Sequence, residues 1–283
     1  MIDRAYIEIG NICNLKCSFC PGTKRAPRQM TVDEFNRVCK SLKGEVKQLY
    51  FHVMGEPLLH PYLSDFLRIA GEFGFSVSIT TNGTLVEKCK SILLEHSDAI
   101  HKISISLHAH EANTVKLSIS EYLDRVISFA KEFSKKDKNV VFRLWNLDTS
   151  DKFGKNSENE EILRKLHSEY LESWQERYSG YRLAYRTFLE LDGIFTWPVE
   201  SDAEPTDEGK CYGIIRQIAI LADGTVVPCC LDSEGQMALG NIFENSLSKI
   251  LASPLATEMA NGFRCGKMVH SVCKKCSYAR RFS

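Results

Sequence analysis

The sequence predicts an α/β protein built on a parallel sheet. Six short runs of apolar and β-branched residues alternate with longer stretches of helical periodicity, and such alternation is typical of βαβ units. Nearly every run is apolar on both sides, which favours strands that are covered on both faces of the sheet. The predicted strands are Ala5–Ile9, Gln48–Val53, Ser76–Thr80, Lys102–Leu107, Val140–Trp145 and Leu183–Leu189. Six units are fewer than the eight of a closed barrel.

Five helices are predicted to connect these strands. The first has the clearest start, because Thr31 is followed three residues later by Glu34, the pattern of a capping box. The predicted helices are Val32–Leu42, Leu63–Phe73, Leu85–Leu94, Ser120–Phe133 and Glu160–Tyr178. The polar segment Asn146–Asn159 is predicted to be a loop over the mouth of the sheet.

A change of composition near residue 198 predicts a second, smaller domain. Residues 198–210 are acidic and contain two prolines, as a linker would. Beyond them, Asp223-Gly224 separates the apolar runs Gln217–Leu221 and Val226–Val227, which indicates a β-hairpin. We therefore expect one domain at residues 1–197 and a small α+β domain at residues 198–283.

Composition excludes several classes of protein. The formal net charge is zero and the basic residues are scattered, so an extended nucleic-acid surface is not expected. No apolar run reaches the roughly 18 residues of a membrane helix, and the chain enters its first strand at once, without a signal peptide. Because the eleven cysteines are clustered in a chain of 283 residues, metal ligation in a reducing cytoplasm is favoured over disulfides.

Three cysteines directly follow the first strand. Cys13, Cys17 and Cys20 are spaced by four and three residues. Cysteine thiolates are the usual ligands of iron–sulfur clusters. A cluster of four irons held by three cysteines keeps one iron open, and an open metal position is typical of reactive sites. Structural zinc and buried free thiols are the alternatives.

This spacing, with the aromatic Phe19 before the last cysteine, resembles the radical S-adenosylmethionine (SAM) superfamily. The resemblance implies a partial (β/α)6 barrel and a [4Fe–4S] cluster on Cys13, Cys17 and Cys20. It also implies that SAM chelates the open iron and yields, on reduction, a 5′-deoxyadenosyl radical that abstracts hydrogen from a substrate. An electron donor such as flavodoxin or ferredoxin is implied as a partner.

Further candidate residues lie at the ends of the predicted strands, where parallel α/β folds place their chemistry. Gly55 and Glu56 resemble the family's Gly-Gly-Glu motif, with Met54 in place of its first glycine. Arg143 lies inside an apolar strand, where a guanidinium needs an anion such as the SAM carboxylate or a protein carboxylate. The residues predicted to bind SAM are Gly55, Glu56, Thr80, Asn82, Ser104, Ser106, His108 and Arg143. Those predicted to contact substrate are His52, Trp145 and Asp232.

A second set of cysteines lies near the C-terminus. Their layout around the predicted hairpin resembles the SPASM/Twitch extension of radical SAM enzymes. The resemblance implies an auxiliary [4Fe–4S] cluster that is fully ligated by four cysteines, namely Cys211, Cys229, Cys273 and Cys276. Cys230 is an alternative to its neighbour Cys229, and structural zinc is the alternative to the cluster.

The resemblance predicts a radical SAM enzyme that acts on a small molecule. A peptide-modifying maturase, for a thioether, an epimerisation or a similar change, is a second hypothesis. It is less favoured because the chain begins at its first strand, without room for a leader-binding module. An alcohol dehydrogenase of the Twitch type is a third, and a non-catalytic iron–sulfur carrier is disfavoured.

The segment Tyr50–Pro61 also resembles small radical SAM proteins of gut anaerobes, which include queuosine lyase. Queuosine or its 5′-phosphate, cleaved to queuine, is the expected substrate, and a carboxylate such as Asp232 would bind the base.

Overall fold

The computed structural model describes residues 2–113, 116–147, 156–172, 174–194 and 196–279, and within these ranges eleven strands form one mixed sheet. The strands are β1 (Ile2–Ile7), β2 (Val46–Phe51), β3 (Ser76–Thr81), β4 (Ile100–Ser106), β5 (Asn139–Leu144), β6 (Gln175–Arg177), β7 (Gly180–Ala184), β8 (Thr187–Leu191), β9 (Gln217–Ile220), β10 (Thr225–Val227) and β11 (Gly240–Asn241). Most of the predicted loop at 146–159 lies outside the described residues, because 148–155 are not among them.

Six parallel strands form the centre of the sheet, in the order β1-β2-β3-β4-β5-β8. Antiparallel strands continue the sheet on both sides, with β9-β10-β11 beyond β1 and β7-β6 beyond β8. The parallel strands therefore form an open, partial barrel with a C-terminal antiparallel extension. The predicted fold class is confirmed.

Eight α-helices lie within the described ranges. They are α1 (Val32–Leu42), α2 (Leu63–Glu72), α3 (Val86–Glu95), α4 (Ile119–Ser134), α5 (Asn159–Glu169), α6 (Leu247–Leu251), α7 (Pro254–Arg264) and α8 (Ser271–Lys274). The helix α1 has its predicted bounds, and its capping box is formed: Glu34 N donates to Thr31 Oγ1 at 3.2 Å, and Thr31 N donates to Glu34 Oε2 at 2.9 Å. None of the helices in the described part of the chain is both long and apolar enough to cross a membrane.

The prediction of the sixth strand was wrong. The predicted Leu183–Leu189 is a hairpin in which β7 turns back into β8, and only β8 is parallel to β5. Arg186 adopts φ 57° in this turn, and its Nε donates to Asp137 Oδ1 at 2.8 Å. The predicted helix Glu160–Tyr178 is shorter in the structure and ends at Glu169. Residues 175–177 belong instead to β6, which pairs with β7.

The two faces of the barrel strands differ, contrary to the expectation of strands that are apolar on both sides. Side chains alternate along a strand, and the helix-facing side is a fully buried core of residues such as Leu49, Ile79 and Ile103. The inner side is polar. Its residues include Arg4, Tyr6, Glu8, Gln48, Tyr50, His52, Ser78, Thr80, Lys102, Ser104, Ser106, Arg143 and Glu190. The barrel interior can therefore bind polar groups.

The C-terminal hairpin joins the barrel sheet directly. The strand β9 pairs in parallel with β1, from Arg4 opposite Gln217 to Ile7 opposite Ile220. The hairpin therefore extends the main sheet by hydrogen bonds. The division of the chain at residue 198 stays a prediction.

Candidate functional site

A cavity of about 470 Å³ lies at the carboxyl ends of the first strands of the barrel. It brings together many of the side chains that were predicted from the sequence: Cys13, Cys17, Cys20, His52, Gly55, Glu56, Thr80, Asn82 and Ser106. Other lining residues include Asn11, Lys16, Phe19, Thr23, Met54 and Trp197.

Each of the three thiols accepts a hydrogen bond from an N–H group. Leu15 N donates to Cys13 Sγ at 3.4 Å, and Gly22 N donates to Cys20 Sγ at 3.4 Å. Asn113 Nδ2 donates to Cys17 Sγ at 3.1 Å. Hydrogen bonds to sulfur are one of the means by which proteins tune iron–sulfur clusters. Burial raises the pKa of Cys17 to about 11, so its thiolate needs a nearby positive charge such as iron.

The turn after β2 fits closely against the segment that precedes the first cysteine. Gly55 adopts φ +80°, and a Cβ at this position would lie 2.2 Å from the carbonyl oxygen of Gly10. Glu56 N donates to Ile12 O at 3.0 Å. Glycine is therefore required here by close packing of two backbones. Met54 is 6% exposed and packs against the C-terminal hairpin rather than into open space.

The carboxylate of Glu56 organises the cavity wall. It is buried, and it accepts hydrogen bonds from Leu58 N at 3.0 Å, Thr81 Oγ1 at 2.7 Å and Asn82 N at 2.8 Å. Burial is the main cause that raises the pKa of Glu56, and these three donors oppose it. Glu56 thus joins the end of β3 to the turn after β2.

Asn82 connects this wall to the cysteine loop. Its Nδ2 donates to Asn14 Oδ1 at 3.1 Å, and its carbonyl oxygen accepts from the Tyr122 hydroxyl at 2.8 Å. Asn14 Nδ2 in turn donates to Thr84 Oγ1 at 2.9 Å. The loop after β3 therefore holds the residue that follows Cys13.

His52 is uncharged at neutral pH. Burial first, and then the charge of Arg143, lower the pKa of His52 to about 4. Its ring lies 5.9 Å from the ring of Tyr6. His52 can therefore offer a neutral hydrogen-bonding group at the cavity.

Other predicted SAM ligands lie outside the lining of this cavity. Ser104 is 1% exposed, two residues below the lining residue Ser106. His108 packs on Phe19 with ring centres 4.9 Å apart, and its Nδ1 lies 3.1 Å from Arg143 O. His108 has its pKa lowered to about 4, chiefly by burial.

In the structure Arg143 pairs with a protein carboxylate, which is one of the two alternatives that the sequence left open. Its Nε donates to Glu190 Oε2 at 3.1 Å, and its guanidinium lies 4.5 Å from the centre of the Trp145 ring. The anion that satisfies this guanidinium is therefore Glu190 on β8. The prediction that Arg143 binds the SAM carboxylate finds no support in this arrangement, and Trp145 stacks on an arginine instead of lining the cavity.

Asp232 also differs from its predicted role. It is fully buried, and its two carboxylate oxygens accept from Gln236 N at 2.9 Å and from Met237 N at 2.7 Å. These bonds fix the turn after β10, so the carboxylate stabilises the loop instead of facing a substrate.

Sequence reasoning missed two side chains of the site, Asn113 and Trp197. Asn113 lies 96 residues after Cys17, and besides its bond to that thiol its Oδ1 accepts from Lys16 N at 2.7 Å. Trp197 lines the cavity from the segment before Pro198. Both belong to irregular segments, and no motif marks them. Their role follows only from the folded chain.

The C-terminal cysteines form a second group. Burial is the main cause that raises the pKa of Cys211, Cys229 and Cys273. Charge interactions add to it: Cys211 is affected by Cys276, Cys229 by Cys230 and then by Cys211 and Cys273, and Cys273 by Cys211 and Cys276. These interactions indicate that the C-terminal thiols lie in one region.

Cys230 faces a different direction from its neighbour Cys229. It packs in a small apolar cluster with Val53, Met54 and Trp197, and its thiol hydrogen-bonds with Tyr6. This geometry favours Cys229 over Cys230 as the ligand.

Both cysteine groups fit iron–sulfur clusters by the chemistry of their donors. Within the ranges that the structure describes, no three His, Cys, Asp or Glu side chains are arranged to hold a single metal ion. That finding concerns single ions, whereas in a cluster each cysteine ligates a different iron. A [4Fe–4S] cluster with one open iron has three protein ligands, and a fully ligated cluster has four. The three thiols around the first cavity match the first number, and the four thiols of the second group match the second.

Two family models match the chain. The model of the Radical SAM superfamily matches residues 7–152, which is more than half of the chain. The model of the iron–sulfur cluster-binding domain SPASM matches residues 211–277. The first match contains the cysteine loop and the first cavity, and the second contains the C-terminal cysteines.

Curated relatives match over shorter stretches. The chain is 35% identical over 85 residues to the tungsten-containing aldehyde ferredoxin oxidoreductase cofactor-modifying protein of Pyrococcus furiosus. The aligned stretch covers 29% of this chain and 24% of that protein. It is 34% identical over 99 residues to GTP 3′,8-cyclase of Chlorobaculum tepidum, which covers 33% of this chain and 30% of that protein. The chain thus matches less than a third of the length of these relatives.

Among solved structures, BtrN in complex with AdoMet and 2-DOIA is similar over almost the whole chain. The TM-score is 0.62 with 18% identity, and the match covers 98% of this chain and 93% of that chain. At this identity the likeness shows a shared fold.

Proposed function

Because the chain belongs to the radical SAM superfamily and carries a SPASM domain, we propose that it abstracts hydrogen from a small molecule bound in the first cavity. One observation supports this proposal above the others. Three thiols border a cavity whose opposite wall, at Val53 and Met54, packs against Ala219 and Leu221 of the C-terminal hairpin. The C-terminal hairpin thus supports this wall of the cavity from behind.

The predicted cofactors follow from membership: a [4Fe–4S] cluster with SAM in the barrel and auxiliary iron–sulfur in the SPASM domain. Cys13, Cys17 and Cys20 would hold the first cluster. Gly55, Glu56, Thr80, Asn82 and Ser106 border the space for SAM. When bound, the cluster and SAM supply a 5′-deoxyadenosyl radical. The protein contributes position, because Glu56 and Asn82 fix the wall and the cysteine loop to each other.

The auxiliary cluster is assigned to Cys211, Cys229, Cys273 and Cys276. Cys230 is excluded from this proposed set because its thiol faces Tyr6 and the wall of the first cavity. A cluster with four protein ligands has no open iron for SAM, so we assign it a role in electron transfer or in bracing the domain. Radical SAM enzymes need a reductant, and flavodoxin or ferredoxin is the proposed donor.

The residue of the cavity that is predicted to contact substrate favours a polar ligand. Neutral His52 offers a hydrogen-bond donor or acceptor without charge, which suits a hydroxyl group. Queuosine and its 5′-phosphate carry such groups, and the likeness of Tyr50–Pro61 to small radical SAM proteins makes them the first substrates to test. The release of queuine is the reaction that we propose for them.

A second candidate reaction is the oxidation of an alcohol. It rests on the Twitch-type layout of the C-terminal cysteines, and the chain shares its fold with BtrN, whose structure contains 2-DOIA and AdoMet. The two candidates share the same cavity and differ in the product.

The test is anaerobic turnover of the reconstituted protein with SAM, dithionite and queuosine. We expect 5′-deoxyadenosine and queuine in equal amounts, measured by liquid chromatography and mass spectrometry. Cys17→Ala should abolish both products, whereas Cys265→Ala, which removes an exposed thiol outside both cysteine groups, should change neither. Deoxyadenosine without queuine would exclude this substrate, and SAM cleavage by Cys17→Ala would contradict the assignment of the cluster.

A further inference from the structure

A second, smaller cavity lies on the inner face of the barrel. Its volume is about 190 Å³, and its walls include Lys102 on β4, Asn139 on β5, and Phe188 and Glu190 on β8. Arg177 on β6 borders it from the side, with its guanidinium 5.5 Å from the centre of the Phe188 ring. This cavity shares none of its lining residues with the first one.

Positive charge is in excess around this cavity. Among the charged groups that face Lys102 are Arg4, Arg143 and Glu190. Glu190 is already paired with Arg143 at 3.1 Å. In the described part of the chain, no carboxylate forms an ion pair with the ammonium group of Lys102. Burial first, and then the charges of Arg143 and Arg4, lower the pKa of Lys102, and the charge of Glu190 opposes them only in part.

Two buried hydroxyls lie on the same inner face as this lysine, outside the lining of the cavity. Ser78 and Ser104 are 3% and 1% exposed, and neither Oγ has a hydrogen-bond partner among the described residues. Ser78 is the register partner of Lys102 on the neighbouring strand, and Ser104 lies two residues beyond Lys102 on the same face. Within the described ranges, the part of the barrel interior around Lys102 therefore offers hydroxyl groups but no further carboxylate.

We propose that this cavity binds a phosphate or carboxylate group, held by Lys102 with help from Arg177 and Asn139. An oxyanion supplies the negative charge that the interior lacks, and its several oxygens can accept bonds from an ammonium, a guanidinium and an amide at once. The cavity has room for one such group and not for a nucleotide.

The position of the site suggests how it relates to the first cavity. Lys102 and Ser106 lie on the same face of β4, four residues apart, which is about 13 Å along a strand. Ser106 lines the first cavity and Lys102 lines the second. An anion at Lys102 is therefore bound inside the same barrel but away from the cysteine loop, and the proposal does not depend on the proposed function.

The test is isothermal titration calorimetry of the anaerobically reconstituted protein with inorganic phosphate and, separately, acetate, at constant chloride. We expect saturable binding of one anion per chain by at least one of the two, and the tighter binder identifies the class of group. Lys102→Met should weaken this binding at least tenfold. The matched control is Lys47→Met on β2, an exposed lysine that should leave the affinity unchanged.

A thermal unfolding series provides a second measurement. In a buffer without phosphate or acetate, Lys102→Met should unfold at the same temperature as the parent protein or higher, because it removes a partly buried cation that forms no ion pair among the described residues. The binding anion should raise the unfolding temperature of the parent and of Lys47→Met, but not that of Lys102→Met. If Lys102→Met does not fold, Asn139→Ala and Lys102→Arg take its place, with weaker binding expected for the first and retained binding for the second. Absence of saturable binding, or unchanged affinity in Lys102→Met or Asn139→Ala, would overturn the proposal.

Discussion

The sharpest structural prediction concerns Gly55→Ala, and Gly44→Ala provides a matched control. Both glycines adopt nearly the same positive φ, +80° and +81°, so an alanine at either position has a similar backbone strain of roughly 1–2 kcal/mol. They differ in their surroundings. At Gly55 the new Cβ would lie 2.2 Å from Gly10 O, whereas at Gly44 no heavy atom lies within 4 Å.

The extra cost at Gly55 is therefore an overpacking term. Such terms are typically about 1–3 kcal/mol, and the clash here is with a backbone atom that cannot rotate away. We expect Gly55→Ala to lower the free energy of unfolding by about 1–3 kcal/mol more than Gly44→Ala does. Urea unfolding of both variants, followed by circular dichroism, measures this difference.

The site should respond as well. Relief of the clash requires movement of residues 10–12, and this segment leads directly into Cys13. Iron content after anaerobic reconstitution should therefore fall in Gly55→Ala and stay at the parent level in Gly44→Ala. Equal stability and equal iron content of the two variants would refute the reasoning.

Three further predictions follow from contacts around the two cysteine groups. Cys229→Ser should lose about four irons per chain while Cys230→Ser loses none; equal loss in both would contradict the assignment of the auxiliary ligand. Glu8→Gln should lower the free energy of unfolding by about 3–5 kcal/mol. The reason is that the guanidinium of Arg25, which lies 2.6 Å from the Glu8 carboxylate, loses its charge partner. A loss below about 1 kcal/mol in urea unfolding would argue against this role. Asn113→Leu should make the midpoint potential of the SAM cluster more negative, because it removes an N–H donor that stabilises the reduced cluster. A redox titration followed by electron paramagnetic resonance measures this potential. An unchanged potential would show that the hydrogen bond does not tune the cluster.

Much of the fold could be predicted because its signals are local. The capping box of α1 involves residues three apart, and the helix has its predicted bounds. The strand ends carry the predicted polar residues, and parallel strands bring these ends to one edge. For this reason Glu56, Asn82 and Ser106 border one cavity although they are far apart in sequence.

The failures arise where a distant partner decides the role of a residue. Arg143 was read correctly as a guanidinium in need of an anion, but that anion is Glu190, 47 residues later. Asp232 was assigned to a substrate, but two backbone N–H groups of its own loop satisfy it. The turn between β7 and β8 contains no glycine, and Arg186 adopts a positive φ that its sequence does not announce.

The strand β1 links the two cysteine groups. It leads at its carboxyl end to the cysteine loop, and it pairs with β9, which leads through the hairpin to Cys229. The segment after Cys20 strengthens this link, because Arg25 Nε donates to Ser233 O at 2.8 Å and Arg28 Nε donates to Ala222 O at 2.9 Å. Since rigid hydrogen-bonded elements hold both groups, their separation is a property of the fold and not of either loop. The first cavity, which is lined by the cysteine loop, is therefore held at a fixed distance from the second group of thiols.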